Sequence, residues 1–560
     1  MMGWSAGALP RAAGTVVVGA GPAGAVMAAR LAEAGDDVLL LEAGPDYGPP
    51  ASGNWPARLL DPTLMPVEEV SWEYTSACQH GMPKLPLQRA RVMGGCSSHN
   101  GCAAVWGHRS DYDAWAVANG PPGARWSAAE VEPLFQEVST RLRVHTPPRE
   151  DLTPFHRAVL DAAADAGYPF IGDLCSLDPE FGFAIGPVNI DPATKVRWNA
   201  AFAYLDPMRH LPNLRIVPDT LVDKLTLTGT RITGLDVVGP AGPTHIAANR
   251  VILTAGAYGS PLILLRSGIG AADELRGLGI AGPRSGGVPF VHDLPGVGRN
   301  LQDHPAIGVH YQAWPETVTA LEAFVAAGGL PREEGTIGLA RSSRCEGPYD
   351  LHLYPIASRP FGGKGWRFHI SAAVMAPRSR GTITLNPGDP TDPEAPPVID
   401  TDYFSDPEEY DLDALTDAFA LCRDLGAQPA LASLLDKELK PGPSINSRAE
   451  IREWILGQAS HDYHPAGTCR MGPASDSTAV VDASGHVHGL DGLLVADAAI
   501  MPFVTLANTN LPTFVGAEKI AGDLLGSDSQ VTLRSRSSEN IVRTDVPREP
   551  IPASGGEARG

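Results

Sequence analysis

The chain has 560 residues, 43% of them hydrophobic, with 43 Lys plus Arg against 64 Asp plus Glu and a formal charge of −21. That length suits about three domains with ample core, and so acidic a surface repels phosphate backbones and anionic lipid, which sets nucleic-acid binding aside and serves solubility. The seven cysteines are odd in number and form no CxxC pair, so neither a disulfide framework nor a metal site is signalled, and reduced thiols in a cytoplasmic protein are expected.

Residues 1–13 read as a loose leader, with neither the basic start and apolar stretch of a signal peptide nor the length of a membrane span. Thr15–Gly44 then reads as strand, turn, helix, strand. Val16–Val18 is a buried-strand run, Gly19-Ala20-Gly21-Pro22-Ala23-Gly24 follows, an Ala-rich stretch runs to Gly35, and a second apolar run, Val38–Leu41, ends at Glu42 and Ala43. Each part suits a dinucleotide. Gly19 permits the tight turn, Gly21 lets the backbone approach a pyrophosphate, and Gly24 lets helix and strand pack closely. The helix start offers unpaired N–H groups to phosphate. Glu42 can accept from a ribose 2′-OH and would repel a 2′-phosphate, which disfavours NADP.

Two further segments, Arg250–Gly268 and Gly492–Leu525, carry the same α/β texture. Between about 307 and 455 the texture changes to short β-rich runs such as Gly381–Leu385. One amphipathic helix follows, with Leu412, Leu415, Phe419 and Cys422 on one face. The expected architecture is α/β in two domains. A Rossmann-like nucleotide-binding domain is assembled from discontinuous segments (14–155, 194–306 and 456–526). An inserted substrate domain (156–193 and 307–455) carries an antiparallel sheet and helices. Residues 527–560, rich in Ser, Arg, Glu, Pro and Gly, read as a disordered tail.

Five segments in order resemble the glucose–methanol–choline (GMC) oxidoreductase family over about residues 14–526: ARVMGGCSSHNGCAAVWG (Ala90–Gly107), GAYGSPLILLRSGIG (Gly256–Gly270), VGRNLQDHP (Val297–Pro305), HPAGTCRMG (His464–Gly472) and VADAAIMPFVTLANTNLPT (Val495–Thr513). The resemblance implies FAD, an alcohol substrate and hydride transfer to the flavin. It implies His464 and Asn510 as the active pair: a neutral imidazole to take the hydroxyl proton or steady the alkoxide, and an amide to donate to the same oxygen. Pro512 is a good first-turn residue for a helix ending near Leu525, whose N-terminus can face the flavin. His99 resembles the histidine that a choline-oxidase-like branch links covalently to FAD. Arg91, Val92, Gly94, Gly95, Ser98, Asn100 and Gly101 match the loop along the pyrophosphate and ring, Val222 an adenine contact, and Asp497 and Ala498 a contact near the ribityl chain. Tyr463, His352 and Gln312 are the expected pocket residues, and His304 is read as structural.

Gln312, about where the choline branch carries a carboxylate, and Asp462, where relatives carry a small or apolar residue, depart from the pattern. They leave the alcohol open, and with it dioxygen or a quinone or protein as acceptor. Two other classes fit the dinucleotide fold: a FAD-containing hydroxynitrile-lyase-type enzyme without net redox, and a non-catalytic binding protein like the GDP-dissociation inhibitors. The segments around His464 and Asn510 favour the oxidoreductase.

Overall fold

The computed structural model describes residues 9–526 apart from 66–69, 79–81, 121–122, 281, 286–287, 291 and 360–364; the expected tail lies outside the described residues. The first strand, β1 (Ala12–Val18), is apolar and β-branched along Val16–Val18, and those residues are buried because neighbours cover both faces. It begins within the stretch read as leader: Ala12 and Ala13 already pair with Ala247 and Ala248. Helix α1 (Pro22–Glu33) starts with Pro at its first turn, is buried on nearly every side, and packs against the helix Asn510–Leu524. β2 (Val38–Leu41) returns parallel to β1.

These elements belong to a seven-stranded sheet. From one edge the order is Leu214–Val217, β2, β1, Gly242–Leu253, Arg231–Gly239 and Leu221–Thr228, and Leu493–Val495 also pairs with Gly242–Leu253. The Gly242–Leu253 strand changes neighbours along its length. Its first half pairs antiparallel with Arg231–Gly239, and its last three residues pair parallel with Leu493–Val495.

A second seven-stranded sheet is antiparallel throughout. Its order is Leu435–Lys440, Pro305–Ala313, Arg367–Val374, Leu351–Ser358, Thr336–Ala340 and Gly182–Ile185, with Ser460–His461 pairing the start of Pro305–Ala313. The helix Tyr410–Gly426 covers one face, burying Leu412, Leu415, Phe419 and Cys422. The GTITL run forms a separate two-stranded ribbon, Thr382–Thr384 with Val398–Asp400. The two sheets have their own apolar cores. No helix among the described residues is long and apolar enough to cross a membrane, and all seven cysteines are free thiols.

Candidate active site

A cavity of about 600 Å³ runs from the β1–α1 turn to the face of the second sheet, within the ~300–1,000 Å³ of small-molecule sites. At one end stand Gly19, Gly21, Ala23, Glu42, Ala43 and Val222. Gly19 has φ +94°, a conformation glycine adopts without penalty. A Cβ on Gly24 would lie 1.8 Å from the Gly19 carbonyl oxygen, so close packing of helix on turn requires glycine there. A Cβ on Gly21 would meet only Gly95 Cα, at 3.8 Å, and no side chain caps the first turn of α1. That helix start is an open cradle for an anion. Glu42 accepts from the backbone N–H of Ala20 (2.8 Å) and Gly44 (2.9 Å). Burial nonetheless pushes its carboxyl up to about 7.

Midway, Gly95, His99, Asn100, Gly101, Asp497 and Ala498 line the wall. Asp497 is held by three donors: Gly256 N–H (2.8 Å) and Ser260 Oγ (2.6 Å) on one oxygen, Ala499 N–H (2.8 Å) on the other. His99 is buried with Nδ1 unpartnered, and burial lowers its pKa to about 3. Four residues of the same loop support it from behind instead of lining the cavity. Val92 is fully buried, Gly94 turns the chain at φ +87°, and Ser98 Oγ donates to Met93 O at 2.9 Å. Arg91 points outward, its Nε donating to Ala43 O (3.2 Å) and its guanidinium paired with Glu394 and stacked on Trp72.

The far end is built by pairing two distant segments. Pro305 pairs with His461, Asp462 N–H donates to His304 O (3.0 Å), and Gln302 and Ala466 exchange backbone bonds. His304 and His464 therefore lie side by side, Nδ1 to Nδ1 at 2.9 Å. Asp303 Oδ1 accepts from the backbone N–H of both His304 and His464, each at 2.8 Å. Tyr463, between Asp462 and His464, takes a left-handed φ of +63°, a strain of order ~1–3 kcal/mol that the surrounding pairing sustains. Burial, with His304 and His352 nearby, holds the His464 pKa well below its ordinary value, so the ring is neutral at pH 7.

Asn510 lines this end at the start of the helix Asn510–Leu524, with Nδ2 buried and unpartnered. The hydrogen bond to His464, however, comes from Asn508, Nδ2 to Nε2 at 3.3 Å. Asn508 stands in the same Asn-Thr-Asn run, 44 residues after His464, and fits the forty-odd-residue spacing of the family pair as well as Asn510, the residue the sequence analysis named. Glu333 and Glu334 were not anticipated from the sequence. Both line the cavity, burial pushing Glu333 up to about 7, and burial with the charge of Glu333 pushing Glu334 up to about 8. Asp462 lines it as well, its Oδ2 3.4 Å from His464 Nδ1 and its pKa raised well above normal by burial and then by Glu334.

Two expected pocket residues lie elsewhere. Gln312 is exposed, opposite Lys437. It has the strand parity of Ala306, Gly308 and His310, which do line the cavity. The strand runs on past the cavity, with register shifts after His310 and after Gln312. His352 is 2% exposed and does not line the cavity; its ring meets Tyr354, which does, edge-on at 5.4 Å. His304, read as structural, is the direct partner of the His464 ring.

A nucleotide cradle, a buried histidine midway and an imidazole bonded to an amide share one cavity. Sequence profiles of the GMC oxidoreductase family match residues 14–306 and 377–517. The mitochondrial choline dehydrogenase of Mus musculus is 35% identical over 91% of this chain and 89% of its own. The oxygen-dependent choline dehydrogenase of Pseudomonas aeruginosa (strain LESB58) is 35% identical over 91% and 94%. Among solved structures, pyridoxine 4-oxidase from Mesorbium loti superposes with a TM-score of 0.78 at 29% identity, covering 92% of this chain and all of that one. The chain belongs to the GMC oxidoreductase family. It is an FAD-dependent oxidoreductase acting on the CH–OH group of donors. The open helix start, the side-chain-free Gly21 and the unpartnered His99 Nδ1 fit such a cofactor.

Proposed function

We propose that the protein oxidises an alcohol to an aldehyde or ketone, with His464 as base and Asn510 as hydrogen-bond donor to the substrate oxygen. One observation carries this reading: a buried, neutral imidazole and an unpartnered amide N–H line the same end of the cavity. Alcohols yield hydride readily only as the O–H proton departs. His464 Nε2 takes that proton, while Nδ1 stays bound to His304. Asn510 Nδ2 has no internal partner, so donating to the developing alkoxide satisfies a group that is otherwise costly to bury.

FAD would be held by the Gly19–Gly24 turn, Glu42, the Gly95–Gly101 loop, Val222 and Asp497–Ala498, with His99 as the residue that would link it, and would supply the hydride acceptor. Dioxygen or a quinone or protein accepts the electrons afterwards. Glu333, Glu334 and Asp462 line the pocket with carboxyl groups whose protons burial retains, so a bound cation would draw them toward the ionised form, and Tyr463 adds an aromatic face. With relatives named for choline, amino alcohols are the first class to test. The experiment is an anaerobic panel of primary, aromatic and amino alcohols and sugars. Bleaching of the flavin spectrum by at least one class supports the reading, and no bleaching by any of them, with flavin present, overturns it.

A further inference from the structure

We propose that the mouth of the cavity binds an anionic group, a carboxylate or a phosphate, carried by the alcohol at the end remote from its hydroxyl; the proposal rests on the reading of the cavity as an alcohol site. Strand pairing in the second sheet builds this mouth. Gly308 stands opposite Ser371, and His310 opposite His369. Side chains directly opposite one another share a face, and all four residues line the cavity. The His310 and His369 rings stack, 5.1 Å between centroids and 20° between planes. Ser371 Oγ lies 2.7 Å from His369 Nδ1. Gly308 keeps that pair open, since a Cβ there would lie 2.6 Å from Ser371 Oγ and 3.6 Å from His369 Nδ1. His310 is exposed as well as lining the wall, so the cavity meets solvent here.

A β-bulge brings a cation to the same place. On the neighbouring strand Lys440 pairs with His310 and Glu438 with Tyr311, and the register shifts between the two rungs. Without that shift Lys440 and Glu438, two positions apart, would share a face; with it they face opposite ways. Glu438 pairs with Arg423 of the helix Tyr410–Gly426 at 2.7 Å, while Lys440 lines the cavity. Arg367, two positions before His369 on its strand, extends the same face. Neither Lys440 nor Arg367 has a carboxylate partner among the described residues. Burial, then Lys440 and Arg367, lower the His310 pKa, and burial, then His310 and Arg367, take His369 down to about 3. Both rings are therefore neutral at pH 7, and each offers one N–H. With the Ser371 hydroxyl donating to Nδ1, the His369 proton stands on Nε2, free for a ligand. A chain of formal charge −21 repels anions over most of its surface. Cations without counter-ions beside imidazole N–H donors make a local exception that suits an anion. Ala306 adjoins Pro305, which pairs with His461 beside the His464 ring. From Ala306 to His310, at ~3.3 Å per residue, the strand advances about 13 Å. Hydroxyl and anion thus sit at opposite ends of an extended molecule.

The test follows anaerobic flavin reduction in the flavin-loaded protein by matched alcohols of increasing chain length: ω-hydroxycarboxylates and ω-hydroxyalkyl phosphates, each against the α,ω-diol. Once the chain spans the cavity, an anionic alcohol is expected to exceed its diol about tenfold in kcat/KM, the scale of one charge-assisted hydrogen bond. The gain should lie in apparent affinity, with the limiting rate little changed. Comparing the carboxylate and phosphate arms tells which anion the mouth takes. Lys440→Gln, at an exposed position and checked for flavin content and melting temperature, is expected to bring the ratio of anionic alcohol to diol to about one. Lys440→Glu is expected to invert it, and Gly308→Ala, by crowding Ser371, to reduce it. Raising the salt concentration should shrink the wild-type preference. Equal use of anionic and neutral alcohols at every length would overturn the proposal, as would a preference that survives Lys440→Glu. Two failures are distinguishable. If diols bleach the flavin and anionic alcohols gain nothing, only the anion site fails. If no alcohol of either kind bleaches it, the alcohol reading falls and the anion site with it.

Discussion

Replacing His464 with Ala removes one ring from a fully assembled neighbourhood, and the structure gives both the kinetic and the stability cost. The ring is neutral at pH 7, because burial holds its pKa well below 6.5, so nearly every molecule presents a competent base. Losing general-base help costs about 10²–10⁴-fold in rate, or about 2.7–5.5 kcal/mol at ~1.36 kcal/mol per tenfold. On the stability side, His304 Nδ1 loses its 2.9 Å partner in a fully buried position. An orphaned buried polar atom costs about 1–3 kcal/mol. The backbone bond from residue 464 to Asp303 survives, since it uses the main-chain N–H. The assay is stopped-flow flavin bleaching under anaerobic conditions, with flavin content measured beside it. The expected variant is yellow, folded, slightly less stable and slower by at least a hundredfold. A yellow variant bleached at the wild-type rate would refute the reasoning.

Gly24→Ala puts a Cβ 1.8 Å from Gly19 O and 2.7 Å from Thr254 Oγ1; overpacking of this kind costs about 1–3 kcal/mol, and the variant should purify with reduced flavin and a lower melting temperature, whereas full flavin occupancy would show that the turn yields. His99→Ala should release flavin into the filtrate after acid denaturation while the wild-type protein keeps its colour; a yellow wild-type filtrate would end the covalent assignment. Gln312→Ala should leave reduction kinetics alone and stability within about ±0.5 kcal/mol, as for exposed sites, and a several-fold change in apparent alcohol affinity would bring Gln312 back to the pocket. His156, 1% exposed between Thr153 and Pro355, has its pKa lowered by burial to about 4. Below pH 6.5 the unfolded chain takes a proton the folded one refuses until about pH 4, so stability falls with falling pH across that window by up to about 3 kcal/mol. In His156→Gln that slope disappears, and the stability gap to wild type should narrow between pH 7 and 4.5; parallel curves would contradict the assigned shift.

The nucleotide end of the site was legible because its chemistry is local. The strand, turn, helix and acidic residue of Thr15–Gly44 lie within thirty residues, and each glycine answers a steric demand of its immediate neighbours: Gly19 at φ +94°, Gly24 against the Gly19 carbonyl. The amphipathic helix over Leu412–Cys422 was readable for the same reason, its period being a property of one element. His464 and Asn510 were found by likeness of motif, which names residues without saying what touches them. Tertiary structure decided the contacts. Only the antiparallel pairing of Pro305 with His461 sets His304 against His464, across 160 positions of chain. Only the approach of the loop before Asn510–Leu524 selects Asn508 as the amide at Nε2. Gln312 had the right strand parity and still missed the cavity, because parity fixes a face while register and strand length fix where along that face a residue falls. The sequence by itself determined the cradle, whose geometry is written in the sterics of adjacent residues. The fold alone decided the proton-handling end, since the protonation of a buried imidazole depends on neighbours that no local pattern specifies.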